Sequence, residues 1–232
     1  MEKAKINAAK EALKFIDDET VLGIGSGTTV EVFLKLLGKK IRDEEIVVYG
    51  IPSSHQSHIS AVKNGIKVVD LLQYPEPDVC IDGADQVDYN FNCIKGGGAA
   101  LTREKIVISA SKKVVIIIDE TKHSSKLDRA IPIEVLPFAY RYVTKRLQEM
   151  AKKVELRQAE KKIGPIITDN GNFIVDCLID IEDVEKLEME INNIPGVVEN
   201  GLFPSKLIDV VILGDDKGAK ILKKALAKRL YK

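Results

Sequence analysis

Three consecutive glycines, Gly96, Gly97 and Gly98, stand between a lysine and a helix-forming run that contains a glutamate. Glycine tolerates positive φ and lets a ligand approach the backbone closely, because it has no Cβ atom. The N–H groups and the dipole at the start of the helix favour an anion at the same place. Lys95 precedes the glycines, and Glu104 lies about one and a half turns into the helix. The stretch predicts a site that holds an oxyanion beside a carboxylate base, although a glycine-rich turn before an ordinary charged helix shares this pattern.

A second glycine-rich segment, Gly23-Ile24-Gly25-Ser26-Gly27-Thr28-Thr29, lies between an apolar run and a helical run. Its backbone N–H groups and its three hydroxyls are suitable donors to phosphate oxygens. The segment is not a P-loop, because no Gly-Lys-Ser/Thr follows, and Thr28 takes the place of the third glycine in G-x-G-x-x-G. The pattern favours phosphate binding over dinucleotide binding, and also over a plain strand-to-helix turn with capping hydroxyls.

Two polar turns follow apolar strands. Asp82 and Asp85 are three residues apart after one strand, where one carboxylate could exchange a proton while the other orients a hydroxyl. Asp119-Glu120-Thr121-Lys122 follows the most apolar strand, so Lys122 could reach the same crevice. Ordinary turn chemistry explains both segments equally well from spacing alone. No third carboxylate at suitable spacing supports a metal site.

The first half of the chain alternates strands and helices. Apolar periodicity predicts helices at 3–16, 30–37 (ended by Gly38), 54–64 and after Gly98, and strands at 20–24, 46–49, 67–69, 79–81 and 114–118. This alternation is typical of an α/β fold with a doubly wound, mostly parallel, Rossmann-like sheet. The unbroken apolar run at 114–118 is typical of a central strand covered on both faces. In such a sheet, ligands bind beyond the carboxyl ends of the strands.

The pattern changes after about residue 128. Strands are predicted at 131–135, 153–157, 166–168, 173–177 and 197–198, helices at 139–152 and 184–192, and a hairpin turn at Asn170-Gly171. This βαββαβ-like order predicts a small α+β, ferredoxin-like domain. A strand at 207–213 and a helix at 217–230 return to the first domain. We therefore expect an α/β catalytic domain of residues 1–128 and 207–232, with residues 129–206 inserted as a lid or oligomerisation domain.

Composition excludes several classes of protein. Lys+Arg and Asp+Glu number 35 each, so no overall field attracts nucleic acid or a membrane. The basic residues near the C-terminus fit a solvated helix face better than a nucleic-acid patch; they are Lys217, Lys220, Lys223, Lys224, Lys228, Arg229 and Lys232. Three cysteines without CxxC spacing indicate neither a disulfide framework nor a zinc site. Residues 1–5 lack an apolar leader and no run approaches the ~18 apolar residues of a membrane span, so we expect a cytoplasmic protein.

Six segments occur in the order of a known family. They are residues 23–29, 82–85, 95–105, 119–122, 168–172 and 196–203. Together they resemble type A ribose-5-phosphate isomerase over essentially the full chain. One glycine loop would be a weak match, but six ordered segments are highly specific.

The resemblance implies interconversion of ribose 5-phosphate and ribulose 5-phosphate through an enediolate, in the non-oxidative pentose phosphate pathway, with neither cofactor nor metal. It implies that Glu104 is the base that moves a proton between C2 and C1, and that Asp82 and Lys95 take part in ring opening. It implies a homodimer or homotetramer. The substrate contacts that it implies are Ser26, Gly27, Thr28, Thr29, Asp82, Gly83, Ala84, Asp85, Lys95, Gly96, Gly97, Gly98 and Lys122.

Two other functions are alternatives. A non-catalytic sugar-phosphate sensor would usually carry a DNA-binding segment, for which the short helix before the first strand leaves no room. Another sugar-phosphate enzyme of similar fold, such as an aminosugar-phosphate deaminase or a lactonase, would share the first glycine loop but not residues 95–105.

Overall fold

The computed structural model describes residues 1–222 of the 232-residue chain. The helices are α1 (Glu2–Ala12), α2 (Thr28–Glu44), α3 (His55–Lys63), α4 (Leu101–Ala110), α5 (Tyr140–Gln148) and α6 (Val184–Asn192). The strands are β1 (Val21–Ile24), β2 (Tyr49–Pro52), β3 (Lys67–Val68), β4 (Val79–Asp82), β5 (Gln86–Asp88), β6 (Cys93–Ile94), β7 (Val114–Asp119), β8 (His123–Ser124), β9 (Ile131–Val135), β10 (Lys153–Leu156), β11 (Phe173–Leu178), β12 (Val197–Asn200), β13 (Leu202–Phe203), β14 (Val210–Gly214) and β15 (Ala219–Leu222). No helix within residues 1–222 is long and apolar enough to cross a membrane.

The largest sheet has seven strands in the order β15-β14-β7-β4-β1-β2-β3. All of its pairs are parallel except the one between β14 and β15. Alternate residues of β7 face opposite layers: Val115 and Ile117 pack with α1 and α2, whereas Ile116 and Ile118 pack with α4. Every residue of β7 is buried, as its unbroken apolar run predicts. The predicted α/β class with a mostly parallel sheet is confirmed.

The second sheet has four antiparallel strands in the order β10-β11-β9-β12. The chain enters these strands in the order β9-α5-β10-β11-α6-β12, so the predicted ferredoxin-like pattern is confirmed. On one face of this sheet, the odd-numbered residues of β9 and β11, such as Ile133 and Val175, pack against α5 and α6. The alternate positions, among them Glu134 and Asp176, point to the opposite face.

A third sheet, which the sequence did not predict, joins the other two parts of the molecule. Its order is β13-β6-β5-β8, and each strand has only two or three residues. Such strands are too short to show a period-two pattern. Through this sheet, β13, which follows the second sheet in the chain, pairs with β6, which precedes it.

Several predicted boundaries are wrong. Helix α2 continues through Gly38 to Glu44, and a Cβ atom on Gly38 would lie 2.7 Å from the carbonyl oxygen of Asn64, so this glycine permits a close approach and does not end the helix. Strand β2 begins at Tyr49 and not at residue 46, and α5 ends at Gln148 and not at residue 152. Residues 166–168 form only isolated bridges, although the turn at Asn170-Gly171 is present.

The predicted C-terminal helix is also wrong where the structure describes it. Residues Ala219–Leu222 form β15, which pairs antiparallel with β14. The remainder of that prediction, from residue 223 onward, lies outside the described residues, as do five of the seven basic residues of the proposed solvated face.

Candidate active site

One cavity lies where β1, β4 and β7 end, at the carboxyl edge of the seven-stranded sheet. Its lining residues are Lys5, Ser26, Gly27, Thr28, Thr29, Gly83, Ala84, Asp85, Lys95, Gly96, Gly97, Gly98, Glu104, Ile118, Asp119 and Lys122. The structure thus brings together every predicted site residue except Asp82, which is fully buried and contacts Lys95 from below the lining. Lys122, which spacing alone left open and the resemblance implied as a substrate contact, lies in this lining.

Lys95 joins the two carboxylates that the sequence singles out. Its Nζ atom lies 2.9 Å from Oδ2 of Asp82 and 3.1 Å from Oε2 of Glu104. It also donates a hydrogen bond of 2.6 Å to the carbonyl oxygen of Gly83. The three side chains are at most 5% exposed, so these charges interact with little screening by water.

The glycine-rich loop of residues 23–29 and the turn of residues 82–85 meet at Asp82. Its Oδ1 atom accepts hydrogen bonds from the N–H groups of Gly83 at 2.7 Å and Ser26 at 3.2 Å. A Cβ atom on Gly25 would lie 1.8 Å from the same oxygen, so glycine is required for the loop to reach this carboxylate. The loop of residues 23–29 is therefore built around Asp82.

Burial and charge shift the pKa values of all three groups. Burial and the negative charge of Asp82 raise the pKa of Glu104 to about 8, although Lys95 acts in the opposite direction. Burial also raises the pKa of Asp82, against the effect of Lys95. Burial lowers the pKa of Lys95, but Asp82 and Glu104 outweigh burial, so this pKa lies above its ordinary value. The lysine is a fixed cation, and the glutamate is the group that can exchange a proton near neutral pH.

The loop that follows Lys95 presents its backbone to the cavity. Gly96 has φ +104°, a conformation that favours glycine, and its carbonyl oxygen accepts from Ala99 N–H at 3.0 Å. Gly97 N–H donates to Oδ2 of Asp85 at 2.7 Å, so a side chain already occupies this donor. Gly98 N–H has no hydrogen-bond partner in the described part of the chain.

Another part of the cavity lining is rich in donors. Helix α2 begins at Thr28, and its first residues, Thr28 and Thr29, whose N–H groups have no partner within the helix, line the cavity. Nζ of Lys5 donates to Oγ1 of Thr28 at 2.7 Å, and Lys122 lies on the same lining. Lys5 was not predicted from the sequence, because a single lysine on an amphipathic helix carries no motif. Only the packing of α1 against β7 and β14 brings it to this edge.

In residues 1–222, no group of three or more His, Cys, Asp and Glu residues could hold a metal ion. The cavity instead combines a buried ammonium group, two carboxylates and backbone donors. Such a set can move a proton and stabilise an oxyanion.

The sequence matches the family model of ribose 5-phosphate isomerase A (phosphoriboisomerase A) over residues 49–218. Ribose-5-phosphate isomerase A of Archaeoglobus fulgidus is 59% identical over 221 residues, which cover 94% of this chain and 98% of that protein. The structure of ribose 5-phosphate isomerase A from Methanocaldococcus jannaschii is similar with a TM-score of 0.92 and 45% identity, over 96% of this chain and 99% of that one. A structure of D-ribose-5-phosphate isomerase in complex with phospho-erythronic acid is similar with the same TM-score of 0.92 and 45% identity, over 96% of this chain and 98% of that one.

Proposed function

The chain belongs to the ribose 5-phosphate isomerase A family, and we propose that it interconverts ribose 5-phosphate and ribulose 5-phosphate through an enediolate. One observation within the site carries the proposal: Glu104 is held beside Lys95 in a cavity whose lining also offers donors for a phosphate. The family match favours this reaction over the sensor, deaminase and lactonase alternatives. The reaction belongs to the non-oxidative pentose phosphate pathway.

Glu104 is the proton-transfer base. A hydrogen alpha to a carbonyl is a weak acid, so its removal needs a placed base and stabilisation of the developing oxyanion. A pKa of about 8 makes Glu104 a stronger base than an ordinary carboxylate. One carboxylate takes the proton from C2 and returns it to C1, so the reaction uses neither cofactor nor metal.

Lys95 and Asp82 act on the oxygens of the substrate. The Lys95 ammonium stabilises the enediolate oxyanion together with those backbone N–H groups of residues 96–98 that no side chain occupies; Gly97 N–H is bound by Asp85. When the sugar ring opens, the Asp82–Lys95 pair gives a proton to the ring oxygen and takes one from the anomeric hydroxyl, so the pair ends with the same number of protons. Gly83, Ala84 and Asp85 contact the sugar hydroxyls from the turn after β4.

The phosphate binds at the start of α2. Ser26, Gly27, Thr28 and Thr29 supply backbone and hydroxyl donors, and the two lining lysines, Lys5 and Lys122, supply positive charge. Phosphate binding here fixes the position of the reacting carbons, so remote binding energy lowers the barrier of the proton transfer.

We also propose that residues 1–128 with 207–232 form the catalytic domain, and that residues 129–206 close the site and contribute to a homodimer or homotetramer in the cytoplasm. Phe138 and Ile163 of the second part are fully exposed apolar side chains, and we propose that they lie in the contact with another subunit. A solution mass equal to one chain would contradict the oligomer.

The test of the function is Glu104→Gln, assayed by ketose formation from ribose 5-phosphate. We expect kcat to fall by at least the ~10²–10⁴ typical of general-base catalysis, with ribose 5-phosphate still bound. Glu155→Gln is the matched control, because Glu155 is exposed and pairs only with Lys153 among the described residues. Normal turnover by Glu104→Gln would overturn the assignment of the base. Loss of wild-type activity in EDTA would contradict the metal-free mechanism.

A further inference from the structure

Arg157 reaches from the second sheet to the glycine loop of the cavity. It directly follows β10, and its Nη1 atom donates to the carbonyl oxygens of Gly96 at 2.8 Å and Gly97 at 3.1 Å. The other side of its guanidinium binds Asp176 of β11, through Nε to Oδ2 at 2.7 Å and through Nη2 to Oδ1. Arg157 does not line the cavity. Its planar group therefore connects a fixed carboxylate to the two carbonyls.

These two hydrogen bonds fix the direction of the peptide N–H groups. In a trans peptide the C=O and N–H bonds point in opposite directions, and residues 1–222 contain no cis peptide bond. Because Arg157 binds the carbonyls of Gly96 and Gly97, the N–H groups of Gly97 and Gly98 point to the other side of the loop. Gly97 N–H meets Asp85 there, and Asp85 lines the cavity. Gly98 N–H points to this side without a protein partner.

The loop has little else to hold it in this orientation. Gly97 and Gly98 are exposed, and without Cβ atoms their backbone is free to adopt many conformations. Apart from Arg157, the contacts that restrain this turn are Ala99 N–H to Gly96 and Gly97 N–H to Asp85. Neither contact involves the peptide between Gly97 and Gly98, whose carbonyl is bound by Arg157 alone among the described residues. A donor that rotates freely stabilises an oxyanion poorly, because its ordering costs free energy during the reaction.

We propose that Arg157, held by Asp176, is a positioning residue that aims Gly98 N–H at the oxyanion of the enediolate. The proposal rests on the isomerase function and adds a residue outside the cavity to it. Arg157 touches neither the substrate nor the reacting atoms. It acts by holding a backbone donor in place before the oxyanion forms.

The test compares two ligands and turnover in Arg157→Met, which keeps the side-chain stem but removes its donors. Phospho-erythronic acid carries a planar anionic carboxylate that resembles the enediolate, whereas ribitol 5-phosphate carries the same phosphate and no such group. We expect kcat to fall about 10–100-fold with little change in KM, because Gly98 N–H would no longer be directed at the oxyanion. Affinity for phospho-erythronic acid should fall about tenfold, while affinity for ribitol 5-phosphate stays within about twofold.

Lys153→Met is the control, because Lys153 lies on β10 but pairs with Glu155 at the surface. Arg157→Lys, which lacks the planar fork, should show an intermediate loss. If Arg157→Met does not fold, Asp176→Asn should show the same selective loss at smaller size. An unchanged ratio of the two affinities, or an equal loss of both, overturns the proposal. If the wild type binds phospho-erythronic acid but forms no ketose, the isomerase function fails, and the affinity ratio still decides the role of Arg157.

Discussion

At the scale of single residues, two buried carboxylates share one ammonium group in the cavity. Asp82 receives two backbone N–H groups in addition to Lys95, whereas the described contacts of Glu104 include only Lys95. The carboxylate with fewer donors is the harder one to keep ionised, so Glu104 is the readier of the two to take up a proton. The negative charge of Asp82 therefore makes Glu104 a stronger base.

This arrangement predicts that Asp82→Asn shifts the pH dependence of the reaction. Removing the Asp82 charge removes one of the causes that raise the pKa of Glu104, so that pKa falls. The rise of kcat/KM with pH should move to lower pH by about one unit or more. The maximum rate of the variant should also be lower than that of the wild type. Titration of the substrate phosphate is the same for both enzymes and cancels in the comparison. A variant with lower rate and an unshifted profile would show that Asp82 does not set the basicity of Glu104.

Glu104 should also make stability depend on pH. The unfolded carboxyl ionises at its ordinary pKa of 4.5, whereas the folded one ionises at about 8. The folded state holds a proton that the unfolded state releases, so the stabilisation is full below pH 4.5 and is lost as pH rises through 8. We expect Glu104→Gln, which cannot titrate, to gain stability relative to the wild type over this window, by on the order of 3 kcal/mol. Urea unfolding of both proteins at pH 5 and pH 9 measures the difference, and a constant difference would contradict the raised pKa.

The sequence could predict those functional residues that lie within motifs. Lys95, the three glycines and Glu104 are close in the chain, so their spacing alone indicates an oxyanion beside a carboxylate. Lys5 and Arg157 could not be found in this way. Each is an isolated basic residue, and only tertiary packing brings it to the cavity or to the loop.

At the scale of elements, Glu134 connects β9 to the helix that carries Glu104. Its carboxylate is fully buried and accepts hydrogen bonds from four side chains. These are Thr102 in α4 and, in the turn before β11, Thr168 at 2.7 Å, Asn170 at 3.0 Å and Asn172 at 2.8 Å. One buried side chain thus organises both the family segment 168–172 and the first turn of α4.

Two substitutions at this position should differ strongly. Glu134→Ala leaves four donors without this acceptor, and the two from Thr168 and Asn172 are buried, so we expect a loss of about 3–5 kcal/mol in the free energy of unfolding. Glu134→Gln keeps a carbonyl oxygen for the three donors to Oε1, and its amide can donate to the Thr102 hydroxyl. The free energy of unfolding of Glu134→Gln should therefore fall by less than about 1.5 kcal/mol. Urea unfolding checks both values, and similar losses for the two variants would show that these donors need the negative charge of Glu134 and not only a neutral acceptor of the same volume.

Elements were predictable where the chain repeats a pattern over enough residues. The buried run of β7 and the helix α6 were placed within a residue of their observed bounds. The strands of the third sheet have two or three residues, and their pairing depends on distant segments. The end of α2 was predicted wrongly at Gly38, because the sequence alone does not distinguish a glycine that permits a close contact from one that ends a helix.

At the scale of the whole molecule, the cavity lies where the second sheet meets the seven-stranded sheet. Many polar contacts cross this boundary besides those of Arg157. Asp169 accepts from His55 N–H at 2.7 Å, Arg103 donates to Asn170 at 2.7 Å, and Lys105 lies 2.9 Å from Glu188 and 2.7 Å from Glu199. The pairing of β13 with β6 adds a continuous backbone connection. These contacts indicate that the two parts unfold together.

Two buried cysteines provide natural probes of this cooperativity. Cys80 lies in β4 of the seven-stranded sheet and Cys177 lies in β11 of the second sheet. Burial raises the pKa of the Cys80 thiol well above its ordinary value, and burial with Asp176 raises that of Cys177 to about 12. Neither thiol should react with a labelling reagent until its surroundings open. Variants that keep only one of these two thiols, both carrying Cys93→Ala, make the comparison direct.

We expect both thiols to react through the same global opening. The free energy of exposure, measured from labelling rates at increasing urea, should equal the free energy of unfolding of the same variant by circular dichroism. Cys80 serves as the internal reference, because β4 lies at the centre of the seven-stranded sheet. If residues 129–206 instead unfolded independently, Cys177, which packs against α5 and α6, would react at a lower free energy and with a weaker dependence on urea. Coincidence of the two thiols would mean that the second sheet and the seven-stranded sheet unfold as one cooperative unit, because the polar contacts and the β13–β6 pairing between them would then break only in global unfolding.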